Sequence, residues 1–275
     1  MTAAARRGAA VAPILRKWCP EVYRQIIRDS RHAGLFRLWG RSANFDDNAQ
    51  ETIVDPAIVR AVGEIAGVPM HGRNVHAGLL HTYGYLFSLI DTPYGAKRDR
   101  WILEHLENGF GLSPKLLSDT PAEGTLLANV TWFFGQFAFR DDATRLRRLR
   151  QAVSHAAGEL VEYDFTAPPV RRIVEVVRTP TTGRAVRIFT DLVAFPHPPK
   201  SSAADHTLLV YSLQNGVRSP SKLITGFSLR QEAVDELLGA IPRHGSAEVR
   251  LRYNAYLSGL YARTLRGRRR LAGGG

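Results

Sequence analysis

Cysteine is almost missing from these 275 residues. Cys19 stands alone, which excludes an intrachain disulfide and any structural metal site built from several thiolates. Long hydrophobic runs are missing too: even the Leu79 to Ile90 segment is interrupted by His81, Thr82 and Ser88, and it falls short of the roughly 18 to 20 apolar residues a membrane span needs. Near the N-terminus, Pro13, Arg16 and Lys17 break the apolar stretch before a leader-like segment develops, so the chain is expected to be cytoplasmic and to have no membrane partner. Lysine is scarce. Of 37 basic residues, 32 are arginine, a bias that with abundant Ala and Gly reflects GC-rich coding more than selection for phosphate contacts.

The common chemical signatures are absent as well. There is no GxGxxG dinucleotide turn, no GxxxxGK[ST] phosphate loop, no HExxH and no GxSxG, so no cofactor is expected. His71, His76 and His81 are spaced by five residues. That spacing turns successive imidazoles by about 140° in a helix and puts them on opposite faces in a strand, so no metal site is expected from this trio.

What remains is an ordinary globular composition, 44% hydrophobic and 23% charged, with enough length for a sizeable core. The net charge of +12 points toward nucleic acid. However, Arg6, Arg7, Arg263, Arg266, Arg268, Arg269 and Arg270 lie in terminal segments without acids, and setting them aside leaves +5 for residues 11–262. A nucleic-acid partner is therefore discounted, and residues 263–275 read as a basic flexible tail.

Pro20 at a first helical position and the Val22, Tyr23, Ile26 and Ile27 face predict a helix ending near Gly34. A second helix is predicted after Asp55-Pro56, with Ile58, Val59, Val62 and Ile65 inward and Gly67 beyond its end. Residues 34–50 between them read as a short strand and a polar loop. A third helix follows Asp141, with Leu146, Leu149, Val153 and Leu160 as its stripe and the arginines 145, 147, 148 and 150 mostly on a solvated face. Beyond Pro168-Pro169 the texture becomes β. Two hairpins are predicted, 170–179 with 185–195 and 206–216 with 221–227. Ser228 with Gln231 reads as a helix capping box, and residues 248–257 as a last strand. The fold class is α+β: an antiparallel sheet of about five to seven strands with helices packed on one face. The chain reads as a single domain, 1–275, with a seam near 165–170 between a helix-rich N-terminal half and a hairpin-rich C-terminal half.

The stretch NVHAGLLHTYGYLFSLIDTPYGAKRDRW, residues 74–101, gathers proton-handling and cationic groups beside an apolar middle. Gly78 and Gly84 among Tyr83, Tyr85 and Phe87 favour a strand, which puts His81, Tyr83, Tyr85 and Phe87 on one face; a helix instead pairs His81 with Tyr85 at i+4. Either way an imidazole meets a phenol, a pair able to move protons near neutrality. DTPYG reads as a tight turn that carries Tyr94 and Lys97 to a strand mouth. The predicted catalytic residues are His81, Tyr83 and Tyr94. Lys97, Arg98 and Trp101 are candidates to clamp an anion and stack a ring, joined as substrate contacts by His206, Arg252 and Asn254.

These residues predict a cytoplasmic enzyme acting on a small anionic or aromatic metabolite by acid-base chemistry, plausible as a tailoring step in specialised metabolism. The alternatives are an RNA- or DNA-binding or nucleolytic protein that stacks bases on Tyr83, Tyr85 and Tyr211, and a non-enzymatic partner subunit. Substrate and oligomeric state are not written in the residues.

Overall fold

The computed structural model describes residues 10–46, 51–68, 74–92, 95–101, 126–140, 142–156, 171–178, 185–194, 206–214 and 221–230. Helix α1, Val11–Trp18, forms where the sequence predicts no element; Pro13 lies in its first turn, where a missing N–H costs nothing, and Val11 and Leu15 are buried. Helix α2, Pro20–Ser30, starts on the predicted proline and buries Val22 and Ile26. It stops at Ser30, short of Gly34. Instead of the predicted strand, helix α3, Ala33–Leu38, follows at once, and Gly34 lies in its first turn, where an added Cβ would be 3.4 Å from the Cβ of Ala152. Strand β1 is only Arg41–Ala43.

Helix α4, Pro56–Ile65, matches its signals closely. The Asp55 side chain accepts from the Ala57 N–H at 2.9 Å, Ile58, Val59 and Val62 are buried, and Gly67 takes a positive φ of 68° beyond the end.

Residues 74–101 correct the strand reading. Strand β2, Asn74–His76, pairs antiparallel with β1, but the chain then turns into helix α5, Ala77–Thr82, and a 3-10 turn, Gly84–Phe87. The glycine that argued against a helix is there for close approach: a Cβ on Gly78 would fall 2.8 Å from Cγ of Trp39. Tertiary contact has overridden local propensity. Strands β3, Asp91–Thr92, and β4, Gly95–Ala96, pair antiparallel; positions 93 and 94 of the predicted turn lie outside the described residues. Helix α6 is the single turn Lys97–Arg100.

Helix α7, Leu126–Ala138, is apolar around most of its circumference and runs through the core, burying Trp132, Phe133, Phe134 and Phe137, as such helices do. Helix α8, Ala143–Ala156, buries Leu149 and Val153 and exposes Arg147, Arg148 and Arg150, but Arg145 is only 6% exposed.

Strands β5, Arg171–Arg178, β6, Ala185–Ala194, β7, His206–Gln214, and β8, Lys222–Arg230, form an antiparallel sheet in the order β5-β6-β7-β8. The two predicted hairpins are both present. The predicted five to seven strands are not: the described sheet has four, and the segment expected to add a further strand, 248–257, lies outside the described residues. Ser228 is no helix cap, because β8 runs on to Arg230 and pairs Ser228 with Leu208.

Helix α7 packs against β6, β7 and β8, while α3 and α5 pack against β8. A Cβ on Gly226 of β8 would overlap the ring of Phe134. Along β6, Asp191 and Val193 face one way and Thr190 and Leu192 the other, since side chains alternate, and all four are buried. The strand is therefore buried on both faces over these four residues. Val193 and Leu223 of the sheet belong to the same buried cluster as Trp39, Leu80 and Phe133 of the helical half. Among the described residues no helix is long and apolar enough to cross a membrane.

Candidate functional site

Strand β8 is irregular where it meets α5. Tyr211 pairs with Thr225 but Ser212 pairs with Leu223, leaving Ile224 as the extra residue of a bulge, a device that bends a strand and redirects its polar groups. The edge beside the bulge is occupied by the chain leaving α3: Gly40 N–H donates to the Leu223 carbonyl at 2.7 Å, and Ala77 N–H to the Gly40 carbonyl at 2.9 Å. Trp39 is thus pinned between β8 and α5, with its Nε1 donating to Thr131 Oγ1 of α7 at 2.7 Å.

His81 sits against this corner. Its ring is stacked on Trp39 with 6.2 Å between centroids, meets Tyr85 edge-on at 4.9 Å, and lies 6.3 Å from Trp101. Nδ1 is 3.4 Å from Thr225 Oγ1, and the imidazole also hydrogen-bonds the backbone of Ile224 in the bulge. At 2% exposure, the ring is pushed down to a pKa of about 3, by burial first and by the charge of Lys97 second, against the Ile224 hydrogen bond. It is neutral at physiological pH.

Lys97 carries the charge beside it. Its Nζ lies 2.7 Å from Asp46 Oδ2 and 5.3 Å from the Tyr85 ring centroid; the lysine side chain is 15% exposed and the aspartate 3%. The polar segment before α4 thus supplies the carboxylate and the one-turn helix α6 the ammonium, which lies over the Tyr85 ring. Tyr85 and Trp101 close the inner side, 5.1 Å apart between ring centroids.

The predicted residues divide. His81 and Lys97 come together, and the i+4 contact expected of a helix makes Tyr85 the phenol beside the imidazole. Tyr83 does not join them. It is fully buried and its hydroxyl donates to Asp29 of α2, so the His81–Tyr83 couple is separated by the turn of α5. Burial, then Asp29, raises the phenol well above its usual pKa, and Tyr83 is neutral and locked. Because Tyr83 and Tyr85 are 0% and 3% exposed, neither offers a face for base stacking. Arg98 points away, half exposed, to its neighbour Asp99 at 2.8 Å. Trp101, 1% exposed, meets the Tyr85 ring edge-on and is closed off from any ligand ring. His206 opens β7 opposite Arg230. Tyr94, Arg252 and Asn254 lie outside the described residues, as does His71. Burial raises the Cys19 thiol, opposing the activation that a helix N-terminus favours.

Asp46, Trp39 and Thr225 complete a cluster that sequence reasoning did not assemble, since each lies far along the chain from residues 74–101 and no local pattern joins them to it. Among the described residues no group of three or more His, Cys, Asp or Glu could hold a metal ion. No protein-family model matches the chain, and no curated protein and no solved structure matches it.

Proposed function

We propose that the chain is an enzyme acting on a small anionic metabolite by acid-base chemistry, with Lys97 and Asp46 as the reacting pair. The observation that carries this reading is an ion pair drawn in from solvent, its ammonium over an aromatic ring and its charge felt by a neutral imidazole. Withdrawing two charges from water costs more than an apolar pair of the same size, and such expense concentrates at working sites. Lys97 is the better exposed of the pair and holds the anionic or developing negative oxygen. Asp46 receives or returns the proton. His81, neutral across the physiological range, serves as a hydrogen-bonding wall and not as the titrating base.

The test is a thermal-shift screen of the full chain against small carboxylic, keto and hydroxy acids. One chemical class is expected to raise Tm by about 5 °C at a hundredfold excess over Kd, and Lys97→Met to abolish that shift. The double variant Lys97→Met with Asp46→Leu controls for folding: it should keep most of the parent's stability and bind nothing. A panel with no responder, or a responder still bound by the double variant, removes the site. A responder still bound and turned over by His81→Gln removes the imidazole from the mechanism.

A further inference from the structure

A second set of cations converges on the start of β8. Lys222 donates from Nζ to the carbonyl of Arg37 at the end of α3. Its amine is harder to protonate than usual, through burial first and then through Arg145 and Arg37. His76, with Nε2 2.9 Å from the Phe36 carbonyl oxygen, is pushed down to about 4, mainly by burial, with Lys222 and Arg41 adding to the effect. Arg148, one turn along α8, bears on Arg145 in the same way.

Arg145 is the centre of this group. It is 6% exposed, its guanidinium lies 5.1 Å over the Phe139 ring, and its Nε has no hydrogen-bond partner among the described residues. The carboxylate paired with it, Asp142, is 4.0 Å away through Oδ2 and itself 48% exposed. A buried donor without an acceptor, and a buried cation without a close anion, each cost free energy that a bound anion would offset. The surrounding packing is tight, since α3 and α8 touch at Gly34 and Ala152.

We propose that Arg145 and Lys222, with Arg37, Arg41 and Arg148 around them, form a binding site for the phosphoryl group of a small molecule. The guanidinium fork matches phosphate oxygens in a way that an ammonium does not, and the lysine adds a point charge. A buried guanidinium beside a half-buried ammonium suits a dianionic terminal phosphate. A nucleic-acid backbone is gripped instead by exposed side chains along a track. The site shares β8 with the cluster around His81 but uses none of Lys97, Asp46 or His81, so it stands or falls apart from the reading above.

The test is calorimetric titration of the full chain with pyrophosphate and with inorganic phosphate, in a chloride buffer free of other oxyanions. Saturable one-site binding of pyrophosphate is expected, weakened about tenfold by Arg145→Met and by Lys222→Met. Arg148→Gln, an exposed change that spares the packing, should weaken it by about threefold. Without phosphate, Arg145→Met should melt no lower than the parent, because it removes a buried charge whose one carboxylate partner is 4.0 Å away. Absence of saturable binding by the parent overturns the proposal, as does equal binding by Arg148→Gln and Lys222→Met. A short single-stranded oligonucleotide that binds through Arg145 while pyrophosphate fails to saturate also overturns it, in favour of a nucleic-acid surface.

Discussion

Lys97 and Arg145 are both cations drawn in from solvent near β8, yet Lys97 meets Asp46 at 2.7 Å whereas Arg145 has Asp142 at 4.0 Å and an unpartnered Nε among the described residues. Each is also set over an aromatic ring, Tyr85 in one case and Phe139 in the other. The rings do not separate the two sites, since cation–π attraction is available to both. Neutralisation does. The Lys97 site carries its own counter-charge and is electrically complete, whereas the Arg145 site is surrounded by like charges. Removing an acid should therefore damage the first site, and removing a cation should relieve the second.

The largest effect is expected from Asp46→Ala, which strands the mostly buried Lys97 and should lower unfolding free energy by about 3 kcal/mol or more in urea titration. Adding Lys97→Met to Asp46→Leu should recover most of that loss; a double variant as unstable as Asp46→Ala would mean that packing, not charge, holds this corner.

Acid sharpens the comparison next. His81 near 3 and His76 near 4 in the folded chain both lie below the ordinary 6.5, so the unfolded chain binds more protons between these values. Stability contributed by the neutral rings is complete above about pH 6.5 and is lost as pH falls, by up to about 1.4 kcal/mol per pH unit for each histidine. His81→Gln should roughly halve that slope between about pH 6.5 and 4.5, and an unaltered slope would show that the imidazole is not held neutral by burial.

A smaller change, of opposite sign to Asp46→Ala, is expected for Arg145→Met: a gain of up to about 1 kcal/mol at low ionic strength, shrinking as salt screens the cluster. A loss of stability would mean that the guanidinium is compensated by a partner. The smallest effect belongs to Arg98→Gln, whose exposed pairing with Asp99 should leave stability within about 0.5 kcal/mol of the parent. It serves as the baseline for charge removal on the same one-turn helix as Lys97.

Much of the helical scaffold was readable before folding was considered. Pro20, Asp55-Pro56 and Gly67 mark helix ends because they act through local backbone chemistry. The two long hairpins were readable from β-branched runs for the same reason. Residues 74–90 misled because Gly78 lowers helix propensity locally, while its role, to admit Trp39, depends on a residue 39 positions earlier. Ser228 misled through a capping pattern that the ladder with β7 overrode. At the site, His81, Tyr85 and Lys97 were legible as one dense stretch. Asp46 and Thr225 were not, being 51 and 128 positions from Lys97, and Tyr83 was assigned to the wrong partner because Asp29 lies in another helix.

By itself the sequence determined where charge and proton-handling groups are concentrated, which segments alternate or repeat with helical spacing, and that no intrachain disulfide can form. Only tertiary structure decided which of those groups are neutral, paired or stranded. Protonation and ion pairing depend on burial and on distances of a few ångströms between side chains far apart along the chain, and those quantities exist only once the helices have closed on the edge of the sheet.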